Sequence, residues 1–263
     1  MNELINYTLC LADNSLILGH RNSEWTGHGP ILEQDIAISN IALDLIGQAR
    51  NFYQYAATLI NNSSIQQSNN PTIQPATEDT LAYLRNANDF KNCLLAEQPN
   101  GDWAKTILRQ FLFSANQYFL YQHLQNSKDE TLAAIAEKSL KEVTYHLRWS
   151  SEWVIRLGDG TEESHSRMLK AIDELWIFTE EMFEPVSYEV IAAEENFGVD
   201  VSLLKNDWMK KVAAIFDEAT LPSPFGEGLG VRSGGKKGKH TEHLENILTE
   251  MQFLQRTYPD SEW

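Results

Sequence analysis

Apolar residues recur every three or four positions through most of the chain, the period of helices that bury one face. Leu4, Ile5, Leu9, Ala12, Leu16 and Ile17 make such a stripe and predict a first helix from about Leu4 to Gly19. Gly27, Gly29 and Pro30 then break the pattern, and Pro30 suits the first turn of a new helix. The second helix, from about Ile31 to Thr58, is apolar on several faces: Ile36, Ile38, Ile41, Leu43, Leu45, Ile46 and Phe52 point in different directions. A helix of that kind is predicted to be central, with neighbours all round. From Asn61 to Asp79 the chain is rich in Asn, Ser, Gln and Pro, the composition of a surface loop.

A shorter helix is predicted over about Thr80 to Glu97. Asp102 is a natural N-cap for the next, from Trp103 to about Gln125. Ser127 or Asp129 opens another that runs to Leu157 and stops at Gly158. Further helices cover about Ser164 to Glu184, ended by Pro185, and about Val201 to Ala219. The segment LPSPFGEGLGVRSGGKKGK reads as a helix-free connection, after which Thr241 caps a last helix to about Thr257. No alternating run is long enough to argue a sheet. The fold class is therefore all-α: one helical bundle over residues 1–263, with loops near 61–79 and 220–240 and additional C-terminal helices.

Composition narrows the partners. The chain carries 37 acids against 21 bases, a formal net charge of −16. Nucleic acid and anionic membranes repel such a protein, whereas a basic partner subunit is attracted to it. No run approaches the ~20 apolar residues of a membrane span, and the acidic N-terminus does not read as a signal peptide. A cytoplasmic protein is expected, with Cys10 and Cys93 as buried free thiols.

Candidate chemistry lies in polar residues on otherwise buried helices. Asn40, Asp44, Gln48 and Asn51 form a narrow line on the second helix, and Lys138, Glu142, Tyr145 and His146 form another on the helix after Asp129. Either line is a solvated strip or faces the interior of a bundle. In ferritin-like di-iron bundles two helices each supply a lone Glu and two supply Glu-x-x-His. Here the matching positions are Asp13, then Asp44 with Gly47, then Ser114, then Glu142 with Tyr145. Both histidines and one lone acid are missing, so iron would be held weakly at best. An antiparallel pair joined by a short loop would bring Asp13 and Asp44 to one level. Lys138, one turn before Glu142, is expected to neutralise that carboxylate in place of metal.

Other signals are weaker. His240 and His243 sit near Glu242 and Glu245, where capping by Thr241 and packing outweigh metal binding. GGKKGK lacks the phosphate-loop pattern, which leaves a flexible basic loop that docks on an acidic neighbour or near a phosphate. His20 and His28 flank a turn and read as hydrogen-bonded loop residues. No nucleophile motif is present.

The segments SEWTGHGPILEQDIAISNIALDLIGQARNF, LLAEQPNGDWAKTILRQ, KEVTYHLRWSSEWVIRLGDGT and GGKKGKHTEHLENILTEMQFLQR resemble the C-subunit family of the bacterial phenylacetyl-CoA epoxidase. The loop over 61–77 and the segment PSPFGEGLGVRS are longer than usual for it. The resemblance implies a ferritin-like fold and a non-catalytic, structural subunit of a cytoplasmic monooxygenase complex in phenylacetate catabolism. A di-iron catalytic A-type subunit would be its partner, and a reductase subunit with flavin and an iron–sulfur cluster would deliver electrons from NADPH. No cofactor is expected in this chain. The resemblance also implies contact with the CoA moiety of phenylacetyl-CoA near Ala82, Tyr83, Leu84 and Arg85, and near Phe183, Glu184 and Pro185. Of these, Arg85 is the natural phosphate partner. A stand-alone di-iron carboxylate oxygenase and a helical scaffold unrelated to oxygenation are the alternatives.

Overall fold

Four long helices frame the molecule: α1 (Asn2–Ser23), α2 (Leu32–Gln67), α5 (Trp103–Leu124) and α6 (Glu130–Gly158). Between and after them come α3 (Glu78–Tyr83), α4 (Leu94–Glu97), α7 (Glu162–Leu175), α8 (Ser187–Glu194), α9 (Lys205–Glu218), α10 (Glu242–Met251) and α11 (Phe253–Thr257). This computed structural model describes residues 2–67, 75–224, 230–258 and 261, and all regular structure among them is helical.

Side-chain contacts fix the helix directions. Asp13 meets Tyr53 and Gly19 meets Ala42, so α1 and α2 are antiparallel. Ser15 meets Gln117 and Asn22 meets Gln110, so α1 and α5 are antiparallel too. Asp44 meets His146 and Gln48 meets Glu142, which makes α2 and α6 antiparallel. Hence α2 runs parallel to α5, and the chain between them must cross the length of the bundle. One long crossover in a four-helix bundle is the ferritin-like topology. The α5 interior is packed with Ile107, Leu108, Phe111, Leu112 and Ala115, all fully buried. Asp102 and Asp129 cap α5 and α6 by accepting from Lys105 N and Leu132 N, contacts that each stabilise a helix start by ~1 kcal/mol.

Several expectations need correction. The second helix continues to Gln67, so the N-terminal part of the predicted 61–79 loop is helical; residues 68–74 lie outside the described residues. That helix is not surrounded: Leu32, Ile36 and Leu43 are 70%, 51% and 67% exposed. The predicted helix over 80–97 is broken. Its backbone donors at Lys91, Cys93 and Leu94 bond to the side chains of Asp13, Asn14 and Glu181, at 2.8, 2.8 and 2.7 Å. Side chains from distant parts of the chain thus replace the intrahelical bonds. The helix predicted to reach Glu184 ends at Leu175 and continues as two 3-10 turns, 176–178 and 180–183, and α8 follows in a stretch to which no element was assigned. The connection predicted to be helix-free has a 3-10 turn at Gly235–Lys237; residues 225–229 lie outside the described residues.

Candidate functional site

Some of the polar residues singled out on the four long helices meet across the bundle, in a register different from the expected one, while Asn40, Lys138 and Tyr145 are exposed. The link between α1 and α2 runs back beside the first turns of α2. Thr26 and Ser39 hydroxyls touch at 3.0 Å, and Asp35 accepts from Gly27 N and Gly29 N. Asp13 therefore faces Tyr53, nine residues beyond Asp44 and about 13 Å along the helix axis. Asp13 and Asp44 are not at one level.

Asp13 is fully buried and saturated. Tyr53 Oη donates to it at 2.5 Å and Lys91 N at 2.8 Å, and the Arg85 guanidinium binds both carboxylate oxygens. Arg85 also lies over the Phe90 ring, 4.2 Å from its centroid. Burial alone would lower the Arg85 pKa, but Asp13 and Tyr53 hold it above its ordinary value. Burial, with Asp13 next, drives the Tyr53 phenol well above its usual range. Arg85 is thus committed to Asp13 and does not offer a free guanidinium to a phosphate.

Between α2 and α6 two cross-helix pairs are spaced four apart on each helix, with Gln48 and His146 buried and Asp44 37% exposed. Gln48 Nε2 donates to Glu142 at 2.9 Å, and His146 Nε2 sits 3.0 Å from Asp44 Oδ2. Tyr145 points outward and is 38% exposed, and nothing would meet a Cβ at Gly47. The positions expected to correspond to the metal-binding histidines therefore face away, and the inward ones are Gln48 and His146. Lys138 is exposed and forms no ion pair with Glu142 among the described residues, so the expected neutralisation by lysine does not occur.

Ser114 is buried and accepts from Gln110 Nε2 at 2.7 Å, while Gln110 Oε1 accepts from Asn22 Nδ2 at 2.6 Å. Arg109 is fully buried beside this pair, donating to Gln98 O and Asn100 Oδ1. Burial, then neighbouring Arg21, pulls its pKa down to about 9. Further along, Gln117 Nε2 donates to both Ser15 and Tyr121, and Tyr121 donates on to Gln48 Oε1. Amides and hydroxyls thus occupy most of the seam. The residues present do not fit a di-iron centre: among the described residues no group of three or more His, Cys, Asp or Glu side chains could hold a metal ion.

The segment 234–241 is stitched to the bundle by three buried carboxylates. Glu181 accepts from Gly234 N at 2.7 Å, and Glu189 accepts from Lys236 Nζ at 2.8 Å. Glu97 accepts from Asn92, from His240 Nδ1 at 2.8 Å, and from Thr241 N and Oγ1. The glycine-rich basic segment therefore docks on acids of its own chain, through a buried Lys236 and not through a free loop. At Gly238 (φ 75°) the backbone runs so close to Asn88 that an added Cβ would lie 2.4 Å from Asn88 O, which only glycine tolerates. Burial opposes the charge on His240, yet its hydrogen bond and charge pairing with Glu97 raise its pKa. His20, with no such partner among the described residues, is lowered to about 4 by burial. Both cysteines are free and buried, and burial pushes Cys93 up to about 12.

The remaining positions scatter. Ala82 is buried, and Gln252 Nε2 donates to its carbonyl at 3.1 Å. Tyr83 is half-buried, and Leu84 is exposed. Phe183 is buried against Trp208, ring centroids 5.1 Å apart, while Glu184 and Pro185 are exposed.

Sequence reasoning missed the partner of Asp13, the inward turn of Gln48 and His146, and the three carboxylates under 234–241. The four-residue spacing of Asp44 with Gln48 and Glu142 with His146 was the available signal for the second.

The family model described as phenylacetic acid catabolic protein matches residues 1–263. Over 263 residues the chain is 46% identical to the C-type subunit of the 1,2-phenylacetyl-CoA epoxidase of Escherichia coli (strain K12), covering 100% of each.

Proposed function

The chain belongs to the phenylacetic acid catabolic protein family, and from that premise we propose that it is the non-catalytic subunit of a phenylacetyl-CoA epoxidase complex, acting in the cytoplasm. One observation carries the reading. Asp13, fully buried, is held by Arg85 and Tyr53, while the partly exposed Glu142 and Asp44 are matched to Gln48 and His146. A carboxylate already saturated by a guanidinium is a poor ligand for iron, because the arginine would have to leave first.

In this reading the iron belongs to a homologous catalytic subunit, and flavin, an iron–sulfur cluster and NADPH serve the reductase. The outward face of α2, with Leu32, Ile36 and Leu43 exposed, is the docking surface for the catalytic subunit. An apolar strip on a chain of net charge −16 favours a partner that matches the strip and is basic around it. The thioester passes near Tyr83 and Leu84, with Arg85 holding the fold behind them. No helix among the described residues is long and apolar enough to cross a membrane.

Co-expression with a di-iron A-type subunit tests the reading. A stable complex with iron only in that catalytic subunit, and ring epoxidation that needs both, is the expected result. Near-stoichiometric iron and turnover in this chain alone would overturn it.

A further inference from the structure

The C-terminal helices α10 and α11 form a strap across the segment 82–97, fastened at both ends. The far end hangs on main-chain carbonyls. Gln252 Nε2 donates to Ala82 O and Arg85 O at 3.1 and 3.0 Å, and Arg256 donates to Leu84 O and Arg85 O at 3.2 and 2.8 Å. The near end is fastened by side chains. Thr241 N and Oγ1 both donate to Glu97 Oε1, and the His240 ring lies between Glu97 and Phe90.

The two neighbours of that ring fix its protonation. Nδ1 is 2.8 Å from Glu97 Oε2, and Nε2 is 3.0 Å from Phe90 O. A carbonyl has no proton to give. A carboxylate that already accepts from Asn92 Nδ2, Thr241 N and Thr241 Oγ1 is held as the anion. Both nitrogens therefore face acceptors, and only the imidazolium offers two N–H donors. Turning the ring over would put carbon at both positions and forfeit both bonds. The His240 and Glu97 side chains are 3% and 0% exposed, so bulk water does not stand in for a lost partner.

The surrounding charges favour the same state. Asp13 of α1 adds a second anion, itself bound by Arg85. Arg21 of α1 donates to the carbonyls of Glu97 and His243, not to the carboxylate. In the segment 86–93, Asp89 accepts from Asn86 N and Lys91 lies over the Tyr188 ring. Glu181 and the Lys236–Glu189 pair hold the turn before His240. Next to it in the chain, Lys239 and Glu242 are exposed and His243 is half-buried. Among the described residues, His240 is the one cation on the Glu97 carboxylate.

We infer that His240 is a proton-operated buckle. As the imidazolium it ties Glu97 to Phe90 and holds down the start of α10. When one ring proton leaves to solvent, a lone pair faces an oxygen and a buried carboxylate loses its counter-charge. That end of the strap then opens, while Gln252 and Arg256, which do not titrate near neutral pH, keep the other end in place.

Nitrogen-15 NMR of the full chain, with the His240 ring assigned, tests the charge state. Nearly equal shifts for the two ring nitrogens mark an imidazolium, and they should persist above the ordinary imidazole midpoint of ~6.5. A widely split pair there, the mark of a neutral ring, would overturn the inference. Hydrogen exchange tests the buckle. Corrected for the intrinsic pH dependence, protection of amides 241–251 should be lost as the ring loses its proton, while 103–124 stays protected. Constant protection over 241–251 through that titration would refute the buckle. So would the same pH-dependent loss in His240→Gln, whose side chain cannot titrate.

Discussion

Arg85 reaches Asp13 from the segment that follows α3, and the pair closes over a carboxylate with no solvent exposure at all. The arginine's own side chain is only 12% exposed. Removing the guanidinium would leave an acid that can find neither water nor another cation. Arg85→Ala is therefore expected to destabilise the chain by about 3–5 kcal/mol in chemical denaturation. The double change Arg85→Met, Asp13→Leu should recover much of that loss. Equal stability of Arg85→Ala and the native chain would contradict the pairing.

Lys138 and Gln48 separate two accounts of Glu142. Lys138→Ala should change stability by no more than about 0.5 kcal/mol, as for other exposed positions. Gln48→Leu removes the donor to Glu142 and the acceptor of Tyr121, and about 1–3 kcal/mol should be lost. A large effect at Lys138 and none at Gln48 would restore the lysine account.

His240 and His20 give opposite pH signatures. The folded-state pKa of His240 is raised, through Glu97 against the cost of burial. Its contribution is complete below the unfolded imidazole value of ~6.5. It is lost as pH rises through the folded value. His20 is lowered to about 4 by burial. Its neutral form stabilises above ~6.5, and that contribution fades as pH falls toward 4. Melting temperatures of His240→Gln and native protein across this range should converge on the alkaline side. Convergence on the acid side instead would mean the sign is wrong.

Ile36 and Leu43 are exposed and carry none of the bundle core. Ile36→Glu or Leu43→Glu should leave helicity and melting nearly unchanged while weakening capture of the catalytic subunit by tenfold or more, about 1.4 kcal/mol. Size-exclusion chromatography of the co-expressed pair reads this out. Undiminished complex formation by the double variant would move the docking surface elsewhere.

Which parts of the molecule were legible in the sequence follows from where each bond's partner lies. Helices with a periodic face and a local cap, such as Asp102 for α5 and Asp129 for α6, are written in neighbouring residues. The break over 86–93 is not, because its donors find acceptors some 80 positions away in Asp13 and Asn14. The polar residue set on the long helices was visible from residue types alone. Its register was not: it depends on the course of residues 24–31, and an i, i+3 template places Gly47 and Tyr145 inside when i, i+4 pairs face inward. A helix apolar on several faces reads as a central one, and spacing alone does not distinguish burial within a chain from burial against another.

The stitching of 234–241 onto Glu97, Glu181 and Glu189 has a consequence for biosynthesis. Synthesis passes all four long helices and then the last of these acids before it reaches Gly234, Lys236, His240 and Thr241, the donors that complete their shells. Until the lysine and histidine of that late segment emerge, the nascent frame carries anionic sites it cannot seal. Sealing of the interior therefore waits for the segment 234–241, and a message broken before codon 234 yields a product whose three acids lack those donors.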